Sequence, residues 1–140
     1  MNNFTEQEKN VMVLAAAEQA RVSRTMQWDW HTVKNAGSST SDQTFESNRV
    51  KNNELVIITN IVAGTDNVNT SVVYMAVYDG VTEKPIHREA QGTDSVYVGW
   101  QGQVILYEGQ SLKVHITNTT GATDKLEVYA TGYKIAAGEP

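Results

Sequence analysis

The chain has no cysteine among its 140 residues. Disulfide bonds and zinc sites built on cysteine are therefore excluded, and no cysteine nucleophile is available. This composition fits a reducing compartment, or a particle that is assembled in one. At this length we expect one domain, which can bury an ordinary hydrophobic core without covalent cross-links.

Positive charge and long apolar runs are also scarce. Lys and Arg number 11 against 16 Asp and Glu, which gives a formal net charge of -5, and the basic residues are scattered. This balance favours solubility and argues against nucleic acid as a partner. No apolar run approaches the roughly 20 residues of a membrane helix, so we expect no membrane partner. The N-terminal stretch MNNFTEQEKNVMVLAAAEQA lacks a basic segment, and we expect no secretion signal.

The N-terminal stretch has the pattern of a helix. Thr5 and Glu8 have the spacing of a capping box, and good helix formers follow, which predicts a helix from Glu6 to about Thr25. Val11 and Leu14 share one face of that helix, in a weak stripe of small residues that favours close packing against another surface. Residues 1–27 are therefore predicted to form a helical arm, with Val11 and Leu14 as candidate interface residues.

Residues 28–140 have the pattern of a β-sandwich domain. Trp28 and Trp30 alternate with polar residues in a first strand, and the small, polar residues 35–44 predict a flexible loop. Further strands are predicted within 53–63, 70–80, 84–90, 94–100, 103–107, 111–118 and 124–135, with a bend or bulge at 99–102. Pro85 places its strand at a sheet edge or at the start of the strand. Short strands with regular turns, and no alternating helices, favour a mainly β fold: an antiparallel sandwich or jelly roll.

The stretch from Val104 to Ile135 is predicted to form a three-stranded meander with one face in the core. Its opposite face carries the alternating side chains Lys113, His115, Thr117, Glu127 and Tyr129. Those side chains meet solvent or a neighbouring protein. We therefore take Lys113, His115 and Tyr129 as candidate interface residues.

No catalytic set is visible in the sequence, so we expect that the chain is not an enzyme. The histidines His31, His87 and His115 form no local metal motif; we expect His115 to be a surface residue and His87 to pair with Glu89. The sequence has no nucleophile elbow and no glycine loop for phosphate. The predicted turns contain Asp66, Asp79, Asp94 and Asp124. Because Asp commonly forms turns, we favour that role over calcium binding and predict no metal or cofactor.

The aromatic residues offer a different hypothesis. Trp28, Trp30, Trp100, Tyr97 and Tyr107 have side chains that stack on sugar rings in carbohydrate-binding modules. The same residue types line sandwich cores and dominate protein interfaces. We favour packing of the helix against the sheet, or contact with a sister subunit, and take the three tryptophans as candidate interface residues. Sugar binding stays open as the alternative.

The stretch from about Asn53 to Ile135 resembles a β-sandwich found among virion proteins of tailed bacteriophages. The resemblance rests on the segments ELVIITNIVAG, VVYMAVYDG, VILYEGQSLKVHITN and KLEVYATGYKI. Its connection with a central glycine is here at Gly109, and its closing strand ends at Ile135. It covers a little over half of the chain and excludes the helix and the tryptophan strand.

The resemblance implies a structural role without a catalytic residue. Proteins of this kind decorate or cement capsids, which implies the major capsid protein or another virion protein as partner. It also implies location in the virion after assembly in the host cytoplasm. A homo-oligomer is expected, and a trimer fits a threefold lattice position. The alternatives are a head–tail connector, a neck or tail component, or a carbohydrate-binding module for host adsorption.

Overall fold

The computed structural model describes residues 5–11, 14, 25–35, 42–66, 71–91, 97–117 and 125–136, and eight β-strands lie along them. The strands are β1 (Thr25–Asn35), β2 (Gln43–Glu46), β3 (Glu54–Thr65), β4 (Val72–Tyr78), β5 (Glu83–Ala90), β6 (Val98–Leu106), β7 (Ser111–Ile116) and β8 (Lys125–Ala136). Residues 6–11 and 14 are helical. The predicted mainly β fold with an N-terminal helix is therefore confirmed.

The strands form two antiparallel sheets of four strands each. Sheet A has the order β1-β8-β3-β6, and sheet B has the order β2-β7-β4-β5. Apart from the β4–β5 hairpin, each connection between consecutive strands crosses from one sheet to the other. This is the connectivity of a jelly roll, so the predicted antiparallel sandwich of jelly-roll type is confirmed.

The core lies between the two sheets. The central strands β8 and β3 of sheet A, and β7 and β4 of sheet B, supply most of its side chains. The largest fully buried side chains are Ile58, Ile61, Met75, Leu106, Leu112, Ile116 and Leu126. Strand β3 is flanked on both sides, and its sequence ELVIITNIVAGT places apolar side chains on both of its faces.

The predicted meander between Val104 and Ile135 is wrong. Strands β6 and β8 belong to sheet A, whereas β7 lies between β2 and β4 in sheet B. Alternation along a strand identifies its buried face but does not say which strand lies beside it. Consequently Lys113 and His115 lie on the outer face of sheet B, and Tyr129 lies on the outer face of sheet A.

The boundary between arm and sandwich also differs from the prediction. Thr5 is the helix N-cap as expected, because its Oγ1 accepts a hydrogen bond from the Glu8 N–H at 3.1 Å. Thr25, the approximate end of the predicted helix, is the first residue of β1 and pairs with Ile135. Residues 25–27, assigned to the arm by the sequence pattern, therefore belong to sheet A. Residues 12–13 and 15–24 lie outside the described residues.

Two strand predictions need correction. Residues 35, 43 and 44 are strand residues rather than loop, since β1 ends at 35 and β2 begins at 43, while 36–41 lie outside the described residues. Strand β2 was missed because its four residues contain one apolar side chain, Phe45, which is too short a pattern for alternation. The strands predicted at 94–100 and 103–107 are one strand, β6, which runs through Gly99 and Gly102. Pro85 lies in β5, an edge strand of sheet B, as predicted.

The side chain of Gln91 forms hydrogen bonds with the main chain of Thr65, at the end of β3. It is 2% exposed; its Oε1 accepts from the Thr65 N–H at 3.0 Å, and its Nε2 donates to the Thr65 carbonyl at 2.7 Å. We expect Gln91→Ala to lower the free energy of unfolding by about 2–3 kcal/mol, because two buried hydrogen bonds are lost and a cavity remains. Urea denaturation measures this change. The exposed Gln27 in β1 is the control, since Gln27→Ala is expected to change stability by less than about 0.5 kcal/mol. Equal effects of the two substitutions would contradict the assigned role.

Candidate functional site

A polar cluster lies on the outer face of sheet B around Glu83, the first residue of β5. Its Oε1 lies 2.5 Å from His115 Nε2 and 3.7 Å from Lys113 Nζ, both on β7. Lys113 Nζ also lies 4.0 Å from the ring centroid of Tyr78, a cation–π contact. These contacts cross β4 and link β7 to β5. The side chains of Lys113 and His115 are 20% and 24% exposed, so both are engaged within the sheet.

The cluster extends to Thr44 on β2, where His115 Nδ1 lies 3.0 Å from Thr44 Oγ1. Because the carboxylate of Glu83 only accepts hydrogen bonds, His115 Nε2 carries the proton between them. The order hydroxyl, imidazole, carboxylate occurs in catalytic triads, but acyl transfer also needs N–H donors aimed at an oxyanion. Strands β7 and β4 are paired on both sides, so their main-chain N–H groups serve the sheet ladders. The contacts of His115 with Thr44 and Glu83 tie β2 and β5 to β7.

A shallow hollow lies on the outer face of sheet A. It has a volume of about 330 Å³ and is lined by His31, Val62, Tyr97, Glu127 and Tyr129. His31 Nε2 lies 2.5 Å from Glu127 Oε2, and the His31 ring meets the Tyr129 ring edge-on at 5.7 Å between centroids. Tyr129 is 39% exposed. This candidate interface residue is thus an accessible wall of the hollow.

Glu127 is the charged centre of that hollow. The hydrogen bond from His31 is the main cause that lowers the pKa of Glu127. Burial first, and the charge of Glu127 second, raise the pKa of Tyr97, whose hydroxyl donates to Glu127. The sequence did not reveal the pair of His31 and Glu127, because 96 positions separate them and only the β1–β8 pairing joins them.

The outer face of sheet A is apolar beside this hollow. Ile57 is 6% exposed although its neighbours Val56 and Ile58 belong to the core, so its side chain points away from the core. It lies opposite Ile105 on β6 and Tyr133 on β8. Ile105 is 38% exposed. An antiparallel sheet with one wet face usually carries polar side chains there, whereas this part of sheet A carries Ile57, Ile105 and Tyr133 on its outer face.

The three tryptophans point inward from sheet A. Trp28, Trp30 and Trp100 are partly buried and pack against the core. Trp28 also lines a hollow of about 190 Å³, whose other lining residues are Asn48, Arg49, Val50, Lys51, Glu54, Val56, Leu106 and Lys134. Polar and charged side chains therefore surround one edge of Trp28.

Two apolar residues of the helical arm are exposed. Val11 is 60% exposed and Leu14 is 69% exposed. The candidate interface residues are thus spread over four places: the arm, the inner face of sheet A, its outer face, and the outer face of sheet B. Sequence reasoning did not find Glu83, Ile57 or Ile105 as surface residues of interest.

The turn aspartates within the described residues bind the main chain. Asp79 Oδ1 accepts from the N–H groups of Val81 and Thr82 at 2.8 and 2.7 Å, and these bonds, that of Thr82 first, lower the pKa of Asp79. Asp66 Oδ1 accepts from the Lys125 N–H at 2.9 Å. Asp94 and Asp124 lie outside the described residues. The predicted turn-forming role is therefore confirmed for Asp79.

The remaining histidine contact is local. His87 Nε2 lies 3.0 Å from Glu89 Oε1, which confirms the predicted pair on one strand face. Across the described ranges, no group of three or more His, Cys, Asp or Glu side chains is placed to hold a metal ion. In the same ranges, no helix is long and apolar enough to cross a lipid bilayer.

Glu83 and Glu127 make stability depend on pH. Hydrogen bonds from His115 and His31 hold the pKa of these carboxyl groups below the usual 4.5. Each therefore contributes stability that is complete above that value and is lost as the pH falls through the lower folded-state pKa. We expect a Glu83→Gln, Glu127→Gln double variant to be less stable than the parent at pH 7, with a difference that shrinks under acidic conditions. Urea denaturation across this pH range measures the difference, and a constant gap would contradict the assignment.

No protein-family model matches the chain, and no curated protein matches it. Among solved structures, it is similar to the Drosophila NLP core, with 19% identity, a TM-score of 0.39, and coverage of 76% of this chain and 97% of that chain. It is similar to a Bacillus endospore appendage protein, with 11% identity, a TM-score of 0.46, and coverage of 81% and 89%. A pentameric capsid protein from metagenomic phage sequences gives 16% identity, a TM-score of 0.36, and coverage of 97% and 78%. Likenesses this weak carry no argument about function.

Proposed function

We propose that this chain is a structural protein of a tailed-phage virion, which binds the capsid surface as a decoration or cement protein and stabilises the shell. The main support is exposed apolar side chains on the outer face of sheet A, where Ile105 is 38% exposed and Tyr129 is 39% exposed. Exposed apolar surface can mark a site that docks on another protein. The resemblance of residues 53–135 to virion β-sandwiches supports the same role.

The architecture gives each part of the chain a place in this role. The jelly roll recurs in viral capsid domains, and a rigid sandwich presents a flat sheet face to a lattice. We assign the outer face of sheet A to the shell, and the arm with Val11 and Leu14 to a neighbouring subunit. The partner is then the major capsid protein or another virion protein, the location is the virion, and the chain performs no reaction. A homotrimer at a threefold lattice position is the assembly we propose.

Co-pelleting with shells tests the role. Purified chain, with its mass measured by light scattering, is mixed with assembled phage shells prepared without it, and the shells are sedimented. We expect a stable oligomer that pellets in many copies per shell. A monomer that remains in the supernatant at every shell concentration would overturn the proposal. A few copies per particle would indicate a head–tail connector, neck or tail component instead.

A matched pair of variants tests the docking face. Ile105→Asp places a charge on the outer face of sheet A, and we expect it to weaken shell binding by about tenfold or more, because the charge loses its water on docking. Val81→Asp is the control, since Val81 is 89% exposed in the turn between β4 and β5. Urea denaturation of both variants separates loss of binding from loss of stability. Equal weakening by the two variants would contradict the assigned face.

Carbohydrate binding is a second candidate function, favoured by the position of Trp28. This indole lines the hollow together with Asn48 and Glu54, and an aromatic face beside polar groups can hold a sugar ring. We expect tryptophan fluorescence to shift with host polysaccharide if this function holds. Trp28→Phe is then expected to remove the shift and Trp100→Phe to retain it. No shift across a glycan panel would argue against this function.

A further inference from the structure

Among the described residues, each sheet has two outer strands that are paired on one side only: β1 and β6 in sheet A, β2 and β5 in sheet B. Exposed edges invite pairing with another chain, and proteins block them with short strands, charges, proline or bulges. Strand β2 is blocked by its length of four residues. Strand β5 contains Pro85, a register shift and several charged side chains. Strand β1 carries Asp29 and Lys34.

Strand β6 is blocked least of the four. Its nine residues, VGWQGQVIL, include no charged side chain and no proline. Its pairing with β3 shifts register where Gly102 and Gln103 lie opposite Thr59 alone, but its side chains still alternate, because Trp100 and Val104 both lie opposite core residues of β3. Within the described part of the chain, no strand pairs with its outer edge. An uncharged edge strand is a template for a further strand.

We propose that the free edge of β6 pairs in antiparallel orientation with the same edge of a second copy, so that sheet A continues across a twofold axis at Gly102. The sequence around Gly102 is self-complementary under this rotation, which is what a twofold interface requires. In this register Trp100 faces Val104 of the second copy, and Gln101 faces Gln103. Side chains that face the core thus lie beside side chains that face the core, and outward side chains lie beside outward ones. No charged side chains are brought together.

The outer face is complementary in the same register. Gly99 lies opposite Ile105 of the second copy, and no atom lies within 4 Å of the Cβ position at Gly99. The open space at Gly99 accommodates the Ile105 side chain of the second copy. The pairing also continues the outer face of sheet A from one copy to the next, with the Gln101 and Gln103 side chains at its centre. On a shell, the pairing of β6 with β6 joins two copies across a twofold position. It is separate from the contact within the homotrimer at the threefold position.

Sedimentation velocity across a wide range of protein concentrations tests the pairing, and we expect the smallest assembly present, whether monomer or trimer, to associate reversibly in pairs. A Gln101→Lys, Gln103→Lys double variant places like charges opposite each other twice in the interface, and we expect dimerisation to weaken by about tenfold. A Gln101→Lys, Gln103→Glu double variant places each Lys opposite a Glu of the other copy. We expect it to restore dimerisation, which depends on the proposed register.

The same substitution on the other edge of sheet A is the matched control. Gln27 is exposed on β1, and Gln27→Lys is expected to leave dimerisation unchanged. Urea denaturation of every variant confirms that the monomer still folds. The proposal is overturned if the parent is monomeric at all concentrations, if Gln27→Lys weakens association as much as the β6 change, or if the Lys–Glu variant fails to restore it. Shell binding is measured separately, so either proposal can fail alone.

Discussion

Replacement of Gly132 by alanine is expected to abolish the native fold. Gly132 lies on β8, with Ile58 of β3 as its register partner, where the register between the two strands shifts. A Cβ at this position would lie 1.9 Å from the carbonyl oxygen of Ile57 and 2.9 Å from the Cα of Ile58. Both are main-chain atoms at the centre of sheet A, and a flexible side chain cannot relieve the clash by turning away. The methyl group therefore forces β3 and β8 apart.

The expected loss is large against the stability of a domain this size. Separating two central strands costs hydrogen bonds and core contacts together, which we place at more than about 4 kcal/mol. A typical domain has only about 5–15 kcal/mol of stability in total. We expect Gly132→Ala to be insoluble or to lack a cooperative urea transition followed by circular dichroism.

Gly99→Ala is the control for this prediction. Gly99 lies in the same sheet, and a Cβ there meets no atom within 4 Å. Because glycine weakens a strand, we expect alanine at this position to change stability by less than about 1 kcal/mol at low protein concentration. A parental urea midpoint for Gly132→Ala would contradict the close approach of β3 to β8.

Strand positions could be predicted because alternation is a local property. Leu112, Val114 and Ile116 are fully buried, as their spacing with Lys113 and His115 indicated. The assignment of β7 and β8 to different sheets could not be predicted, because the same alternation is compatible with pairing or with a crossover. Residues 25–27 were assigned to the arm because the sequence shows no breaker between the arm and the tryptophan strand.

Polar contacts could likewise be predicted within one strand but not between strands. The pair of His87 and Glu89 was predicted because two residues of one strand that are separated by a single residue lie on the same face of the sheet. The contact of His115 with Glu83 crosses β4 and links positions separated by 32 residues, so only the topology reveals it.

The apolar outer face of sheet A did have a local signal. The run ELVIITNIVA is apolar at consecutive positions, which an antiparallel sheet with one wet face does not need. The run predicts a central strand that is apolar on both faces. The structure provides the core on one face and Ile105 and Tyr133 beside Ile57 on the other. The composition of this strand therefore indicated apolar side chains on the outer face of sheet A.

Truncation of two leucines is expected to separate folding from docking. Leu126 is 0% exposed in the core of the sandwich, whereas Leu14 is 69% exposed on the arm. We expect Leu126→Ala to lower the free energy of unfolding by about 3–4 kcal/mol, because it removes buried methyl groups and leaves a cavity. The same change at Leu14 is expected to alter stability by less than about 0.5 kcal/mol. Urea denaturation of both variants measures these values.

Leu14→Ala then reports on the arm alone. If the arm contacts a neighbouring subunit, this variant keeps the parental urea midpoint but forms a weaker oligomer or pellets less with shells. If Leu14→Ala destabilises the monomer as much as Leu126→Ala does, the arm packs on its own sandwich, and its assignment to a neighbour is wrong. Both substitutions remove the same atoms from a leucine side chain. A difference between their effects on stability therefore reports how much of the protein packs against each side chain.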